Sequence, residues 1–403
     1  MRLPGSAQAH LTYCTNVHAG EPWPDVRRNL ETHVAAVKAK VSPDRPFGVG
    51  LWLSAAACAS LHDPGELDAL RELLREQGLY VFTLNGFPFG AFHDGPIKQR
   101  VYEPDWRDAR RRAYSDGLAD LLAALLPEGV NGSVSSLPGG FGPAIATPGD
   151  EAAIAEQLLQ HVAHLHAVHE RTGKSIALAL EPEPCCFLET IDQSVAFFAR
   201  HLQSPAAVRR LCALTGAGSA HAAALIERHL GVCLDACHAA VEFESARGAV
   251  AALRAAGIRV AKVQLSSGLR IADVDASTPD VLAPYLDPVY LHQVVERRAG
   301  VLTRYLDLPD ALAALARDPG GAPREWRIHF HVPIFLERLQ RMDSTQAFLR
   351  ELLALHREQP ISEHLEVETY TWDVLPAEAR TLSMSDAIAR ELRFCMAQLG
   401  AGV

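Results

Sequence analysis

Residues 150–182, DEAAIAEQLLQHVAHLHAVHERTGKSIALALEP, contain one full repeat of the fold. Ile154, Leu158, Leu165 and Val168 recur at helical spacing up to Gly173, a residue type that closes helices because it tolerates a left-handed backbone. IALALEP (176–182) then gives five apolar residues followed by Glu-Pro. A run so short and so uniformly apolar reads as a strand buried on both faces, and a helix feeding such a strand is the unit of a parallel α/β sheet.

Seven further runs supply the strand half of this unit: LTYCTN (11–16), FGVGLWLS (47–54), YVFTLNG (80–86), GSVSSLP (132–138), GVCLDAC (231–237), VAKVQLSS (260–267) and LEVETYTW (365–372). The segments between them carry helical punctuation. Asp63 before Pro64 opens a helix whose Leu67, Leu70, Leu73 and Leu74 form one stripe, and Gly78 follows it. Ser344 stands where it caps a helix bearing Phe348, Leu349, Leu352 and Leu355. Eight strands alternating with helices close into a (β/α)8 TIM barrel, and the C-terminal end of every strand then lies on the catalytic face. The rival is a doubly wound open sheet. Binding a nucleotide, it favours a GxGxxG turn after its first strand, and CTNVHAGEPW has none.

Barrels of this kind run from about 250 residues to more than 400 with insertions, so residues 1–403 are read as one domain. Two insertions interrupt the repeat. Residues 203–230 read as extra helices after the fifth strand. Residues 268–328 follow the seventh, and within them YLHQVVERRAGVLTRYLDL reads as a hairpin about Ala299-Gly300, placed over the barrel mouth.

Of the 403 residues 48% are hydrophobic and 21% charged, which excludes a disordered chain. The net charge of −10, with no block of Lys and Arg, argues against nucleic acid as a partner and for a small polar metabolite. MRLPGSAQAHLTYC has one Arg and no apolar core of a signal peptide. No window approaches the ~18 continuous apolar residues of a span, so the expectation is a cytoplasmic protein without membrane insertion. The eight cysteines contain no CxxC and read as small buried hydrophobes.

The chemistry gathers at the ends of strands five to eight. Glu181 follows IALAL, Asp235 follows GVCL, Gln264 lies within VAKVQLS, and Glu366 and Glu368 lie in HLEVETY. A strand of Val, Leu and Ala that turns a carboxylate inward must satisfy the charge, because burying it unpaired costs several kcal/mol. Three carboxylates and one amide oxygen converging at the barrel top make a cage suited to a hard divalent ion. A single acidic residue at a strand end is more often a cap or a turn residue; the succession over four strands is what points to metal.

These motifs resemble the xylose isomerase-like barrels, which include sugar-phosphate isomerases, ketose epimerases, dehydroshikimate dehydratases and apurinic-site endonucleases. LEPEP resembles the family's fifth-strand Glu-Pro element, CLDACH its sixth-strand Asp-x-x-His, KVQLSS its seventh-strand element and EVET its eighth-strand Glu-Thr. Members usually carry His on strand seven; the dehydratase branch carries Gln, as Gln264 does. The resemblance implies a divalent metal (Mn, Mg or Zn) held by Glu181, Asp235, Gln264 and Glu368, and an isomerase, epimerase or dehydratase activity. The strings HLTYCTNVHAGEPW, YVFTLNGFPFG, VYEPDWRD and RIHFHVPIF further resemble the EboE family of metabolite traffic proteins. Those are encoded with a UbiA-type membrane prenyltransferase, so the resemblance implies that enzyme as a partner. It also implies, as the alternative to catalysis, the handover of a prenylated precursor toward the cell envelope.

Alternation puts Glu366 and Glu368 on the same inward face, but only Glu368 reaches the rim. Glu366 sits a layer deeper, where Lys262, two residues before Gln264 on the neighbouring strand, is expected to pair with it beneath the metal. His238 occupies the family's position for a His that meets substrate or a further metal, and with Glu181 and Glu368 it forms the expected catalytic set. His329-x-His331 with His238 resembles a variant of the extra zinc site of the endonuclease branch. The His residues which that branch carries after strands two and three have no counterpart in GLWLSA or TLNGFPFG, which argues against its trinuclear, DNA-cleaving site. His18, Asn85, Lys98, His331 and Arg304 are the expected substrate contacts. HVAHLHAVH (161–169) lies inside the helix before strand five, away from the mouth, and reads as an interhelical or solvated face; RDARRR (107–112) reads as solvated helix surface.

Overall fold

The computed structural model describes residues 1–3, 9–90, 92, 97–375 and 382–400. Seven strands come first: β1 (His10–Tyr13), β2 (Phe47–Trp52), β3 (Leu79–Asn85), β4 (Gly132–Ser136), β5 (Ile176–Leu180), β6 (Leu230–Asp235) and β7 (Arg259–Leu265). Six short ones follow: β8 (Leu269–Ile271), β9 (Val294–Arg298), β10 (Val301–Tyr305), β11 (Arg324–Ile328), β12 (Arg338–Leu339) and β13 (Met342–Ser344). The last is β14 (His364–Val367). The first seven and β14 form a parallel sheet in the order β1-β14-β7-β6-β5-β4-β3-β2, the (β/α)8 barrel.

The ring closes between β1 and β2 with little ladder. Cys14 and Gly50 form one parallel bridge. Hydroxyls do the rest: Thr12 Oγ1 donates to Gly48 O (2.7 Å) and accepts from Gly50 N (3.0 Å), and Thr15 Oγ1 accepts from Trp52 N (2.9 Å). Gly50 is required at this seam, since a methyl there would overlap the Glu366 carboxylate.

Helix ends follow the local chemistry. Asp63 accepts from the backbone N–H groups of Gly65 and Glu66 to start Pro64–Gln77, and Gly78 ends it at φ 63°. Thr147 and Asp150 form a capping box at the start of Pro148–Thr172. The N-cap position before Gln346–Glu358 is Thr345, whose side chain makes no capping bond; the Ser344 hydroxyl accepts from Gln346 N (3.3 Å). Ser344 still ends β13, and its hydroxyl donates to Leu336 O.

Helices Pro205–Thr215 and Ser219–His229 fill the segment between β5 and β6. The segment after β7 is larger than its sequence suggests. Its strands form a second, antiparallel sheet in the order β10-β9-β11-β8-β13-β12, which runs on to Ser344 instead of ending at 328. The hairpin turns at Ala299-Gly300, where φ is 49° and 82°, the pair of positive angles that a two-residue turn demands. Arg304 on β10 ties this sheet to the barrel through Glu242 (2.5 Å) and Glu189 (3.4 Å). No helix among the described residues is long and apolar enough to cross a membrane.

Candidate functional site

Three of the expected ligands meet. Oxygens of Glu181, Asp235 and Glu368 lie within 4.8 Å of one another, all three side chains buried at the carboxyl end of the barrel. Each is placed by the strand that ends at it. Glu181 follows β5 while its N–H is still bonded to Ser136 O (3.0 Å). Asp235 is the last residue of β6, and its Oδ1 caps the next helix by accepting from His238 N (2.9 Å) and also from Ser266 Oγ (2.7 Å). Glu368 follows β14, and its Oε1 accepts from Asn16 Nδ2 (2.8 Å) and Asn85 Nδ2 (3.0 Å). Gln264 is paired in register with Asp235 on one side and Glu366 on the other.

Several of these atoms lack a protein partner. Glu181 Oε2, Asp235 Oδ2 and both amide atoms of Gln264 are buried without a hydrogen bond. Burial, together with repulsion from Glu368 and Asp235, holds the Glu181 carboxyl well above the ordinary carboxylate range. Burial and the Asp235 charge push Glu368 up to about 8. Orphaned oxygens and mutual repulsion are both relieved by one multivalent cation at the centre, so the donor set fits a divalent ion.

One layer down, Lys262 Nζ lies 2.6 Å from Glu366 Oε1, with both side chains fully buried, and donates to Ser135 Oγ (3.2 Å). Burial alone would lower the lysine pKa, but the Glu366 carboxylate outweighs it and holds the ammonium above its usual value.

Above the carboxylates stand His238, His329 and His331. His238 Nδ1 is 3.0 Å from Pro182 O and His331 Nδ1 is 2.6 Å from Glu368 O; carbonyls only accept, so both Nδ1 atoms carry the proton. His329 Nδ1 bonds Gln293 Oε1 (2.7 Å). The three Nε2 atoms therefore face one another, His238 to His329 at 3.0 Å and His329 to His331 at 3.2 Å. Burial and neighbouring imidazoles keep His329 far below the ordinary histidine pKa, and burial brings His331 to about 4.

A cavity of about 570 Å³, counting its open mouth, leads to this floor. Glu181, Glu183, His238, His329 and Glu368 line its depth, and Phe87, Phe92, Ile97, Val101, Tyr290 and Leu291 its walls. Asn85 and Lys98 border it as expected, although Lys98 is bonded to Asp307 (2.6 Å) and Asp287 O (3.2 Å). His331, also expected to meet substrate, is absent from the cavity lining, its Nε2 3.2 Å from that of His329. Two expected contacts stand elsewhere. His18 follows the 3-10 turn Thr15–Val17 away from the mouth, bonded to Tyr13 OH (2.9 Å) and stacked on His33. Arg304 is held by Glu242 and Glu189 and is absent from the cavity lining.

Sequence reasoning missed Glu183, which accepts from Tyr102 OH (2.7 Å) and Gln293 Nε2 (3.2 Å) at the cavity wall. The second Glu of LEPEP was its signal. Asn16, Gln293, Tyr290 and Tyr370 had none, since loops carry no period.

The chain matches no known protein family and no curated protein. Solved structures similar to it include a xylose isomerase domain protein from Planctomyces limnophilus, at 13% identity over 99% of this chain and 98% of that one, TM-score 0.49. Others are the IOLI protein crystallised with zinc (13%, 97% and 97%, 0.43) and the probable 3-DHS dehydratase AsbF of Bacillus anthracis (10%, 96% and 97%, 0.42). At such identities and scores the likeness says nothing of activity.

Proposed function

We propose that the protein is a divalent-metal-dependent isomerase, epimerase or dehydratase, acting on a small hydroxy-carbonyl metabolite by removing the proton next to its carbonyl. The observation that carries this reading is the convergence of Glu181, Asp235 and Glu368, with Glu181 Oε2 and Asp235 Oδ2 buried without a hydrogen-bond donor. The motif resemblance to xylose isomerase-like barrels supports the same set, with Gln264 as the fourth ligand.

When bound, the ion (Mn, Mg or Zn) supplies Lewis acidity toward the substrate carbonyl. The chain's own residues supply the rest. His238 lines the cavity with Nδ1 fixed on Pro182 O, so Nε2 is the atom that accepts the proton. His329 Nε2, 3.0 Å away, stays neutral and accepts a hydrogen bond from the protonated ring, holding it in place. Asn16 and Asn85 orient Glu368, and Phe87, Phe92 and Tyr290 exclude water from the carboxylate floor.

The test is metal analysis of the purified protein, with Glu181→Gln and Asp235→Asn variants, followed by solvent deuterium exchange into candidate hydroxy-ketones. Both variants should lose the metal and the exchange. Stoichiometric metal and undiminished exchange in both would sink the reading.

The apolar walls favour a second reading, in which the cavity receives a prenylated precursor and hands it on unchanged, as the resemblance to the EboE family suggests, with a membrane prenyltransferase as partner at the cytoplasmic face. Mass analysis after incubation separates the two, because a carrier returns its ligand chemically intact.

A further inference from the structure

The hydrogen bonds around the cage are unevenly shared between the two oxygens of each carboxylate. Glu368 Oε1 receives both amide bonds, from Asn16 (2.8 Å) and Asn85 (3.0 Å). Asp235 Oδ1 likewise receives two, from His238 N (2.9 Å) and Ser266 Oγ (2.7 Å), while Oδ2 receives none. A carboxylate oxygen has two in-plane lone pairs, and two donors engage both. Such an oxygen has nothing left for a cation. Gln264, fully buried with both amide atoms unpartnered, contributes at most its single carbonyl oxygen.

We propose that Asn16, Asn85 and Ser266 are positioning residues that force single-oxygen ligation by Glu368 and Asp235, so that the cage accepts a small six-coordinate divalent ion and discriminates against calcium. The inference rests on the metal reading above and deepens it. One oxygen each from Glu181, Asp235, Gln264 and Glu368 would hold the ion, with room left for a chelating hydroxy-carbonyl group. Calcium takes six to eight oxygens and is commonly bound by carboxylates through both oxygens. Here two of the three carboxylates are barred from that mode by the two donors on one of their oxygens. Small octahedral ions ask for one oxygen per side chain in fixed directions, which amide-pinned carboxylates give.

The experiment measures binding, not turnover. Mn affinity of the metal-free full-length protein is followed by electron paramagnetic resonance of free Mn, and Ca affinity by competition against it. The same is done for the Asn16→Ala/Asn85→Ala double variant and, independently, for Ser266→Ala, which frees a lone pair of Asp235 Oδ1, leaves the amides in place and also removes the acceptor of Cys237 N (2.8 Å). Circular dichroism identifies any variant that has failed to fold, in which case the other decides. The expected result is that the unsubstituted protein prefers Mn, and that each variant narrows the Mn-to-Ca ratio by about tenfold as the released oxygen becomes available to calcium. A merely structural role would weaken both ions by the same factor; an unchanged ratio in folded variants overturns the inference and leaves the metal reading standing. Failure of the unsubstituted protein to bind any divalent ion at the cage overturns both.

Discussion

Replacing Lys262 by Met removes one half of an ion pair that has no access to solvent. The two charges sit 2.6 Å apart with both side chains fully buried. At an effective dielectric of about 20 their attraction is about 6 kcal/mol, most of which offsets the cost of taking both groups out of water. The pair as a whole thus contributes little net stability, but either partner alone is left as an uncompensated buried charge. Lys262→Met and Glu366→Leu should each cost about 3–5 kcal/mol, while the double variant should lie within about 1–2 kcal/mol of the starting protein, since an apolar pair of similar volume replaces a buried ion pair at little cost. Urea unfolding followed by circular dichroism and tryptophan fluorescence measures all three. Single variants costing under about 1 kcal/mol, or single costs that add in the double variant, would refute the argument.

Gly50→Ala drives a methyl into the Glu366 carboxylate and against Tyr13 O, so an overpacking loss of about 1–3 kcal/mol is expected in the urea midpoint; an unaltered midpoint means the seam is looser than described. Arg304→Ala strands Glu242, whose carboxyl burial already pushes to about 7. With the guanidinium one-third exposed, the loss should be about 1–2 kcal/mol, and metal affinity should stay constant; weakened metal binding without loss of stability would return Arg304 to the site. His364 is buried at the barrel base on Ser133 Oγ (2.7 Å), with its pKa lowered by burial to about 3. The unfolded chain therefore takes up this proton near 6.5 and the folded one does not, so the neutral ring's contribution is complete above about 6.5 and falls as pH drops toward 3. His364→Gln should gain stability relative to the unsubstituted protein by about 1 kcal/mol per pH unit from 6 to 4, and parallel pH profiles would contradict this.

The barrel was legible because each βα unit repeats its pattern: IALAL and GVCL are short and apolar, so the residue that ends each is conspicuous by its charge. Lys262 and Glu366 were legible for the same reason, since strand alternation turns both inward below the rim on neighbouring strands; Glu366 is level with Gln264, and the long lysine side chain spans the step to it. His18 and Arg304 escaped because what decides them lies outside any repeat. The strand read as LTYCTN stops at Tyr13 and turns into a 3-10 helix, which carries His18 away from the mouth. Arg304 has the charge and the position of a substrate contact in sequence, but Glu242, 62 residues before it, reaches it first. The second sheet was undersized for a related reason, since two-residue and three-residue strands such as β12 and β13 leave no periodic trace. The carboxylate cluster combines the two cases: barrel repeats deliver Glu181, Asp235, Gln264 and Glu368, while the amides and hydroxyl that hydrogen-bond Glu368 Oε1 and Asp235 Oδ1 come from Asn16, Asn85 and Ser266 at strand ends and turns. On the proposal above, what the site would hold is thus written in its less periodic half.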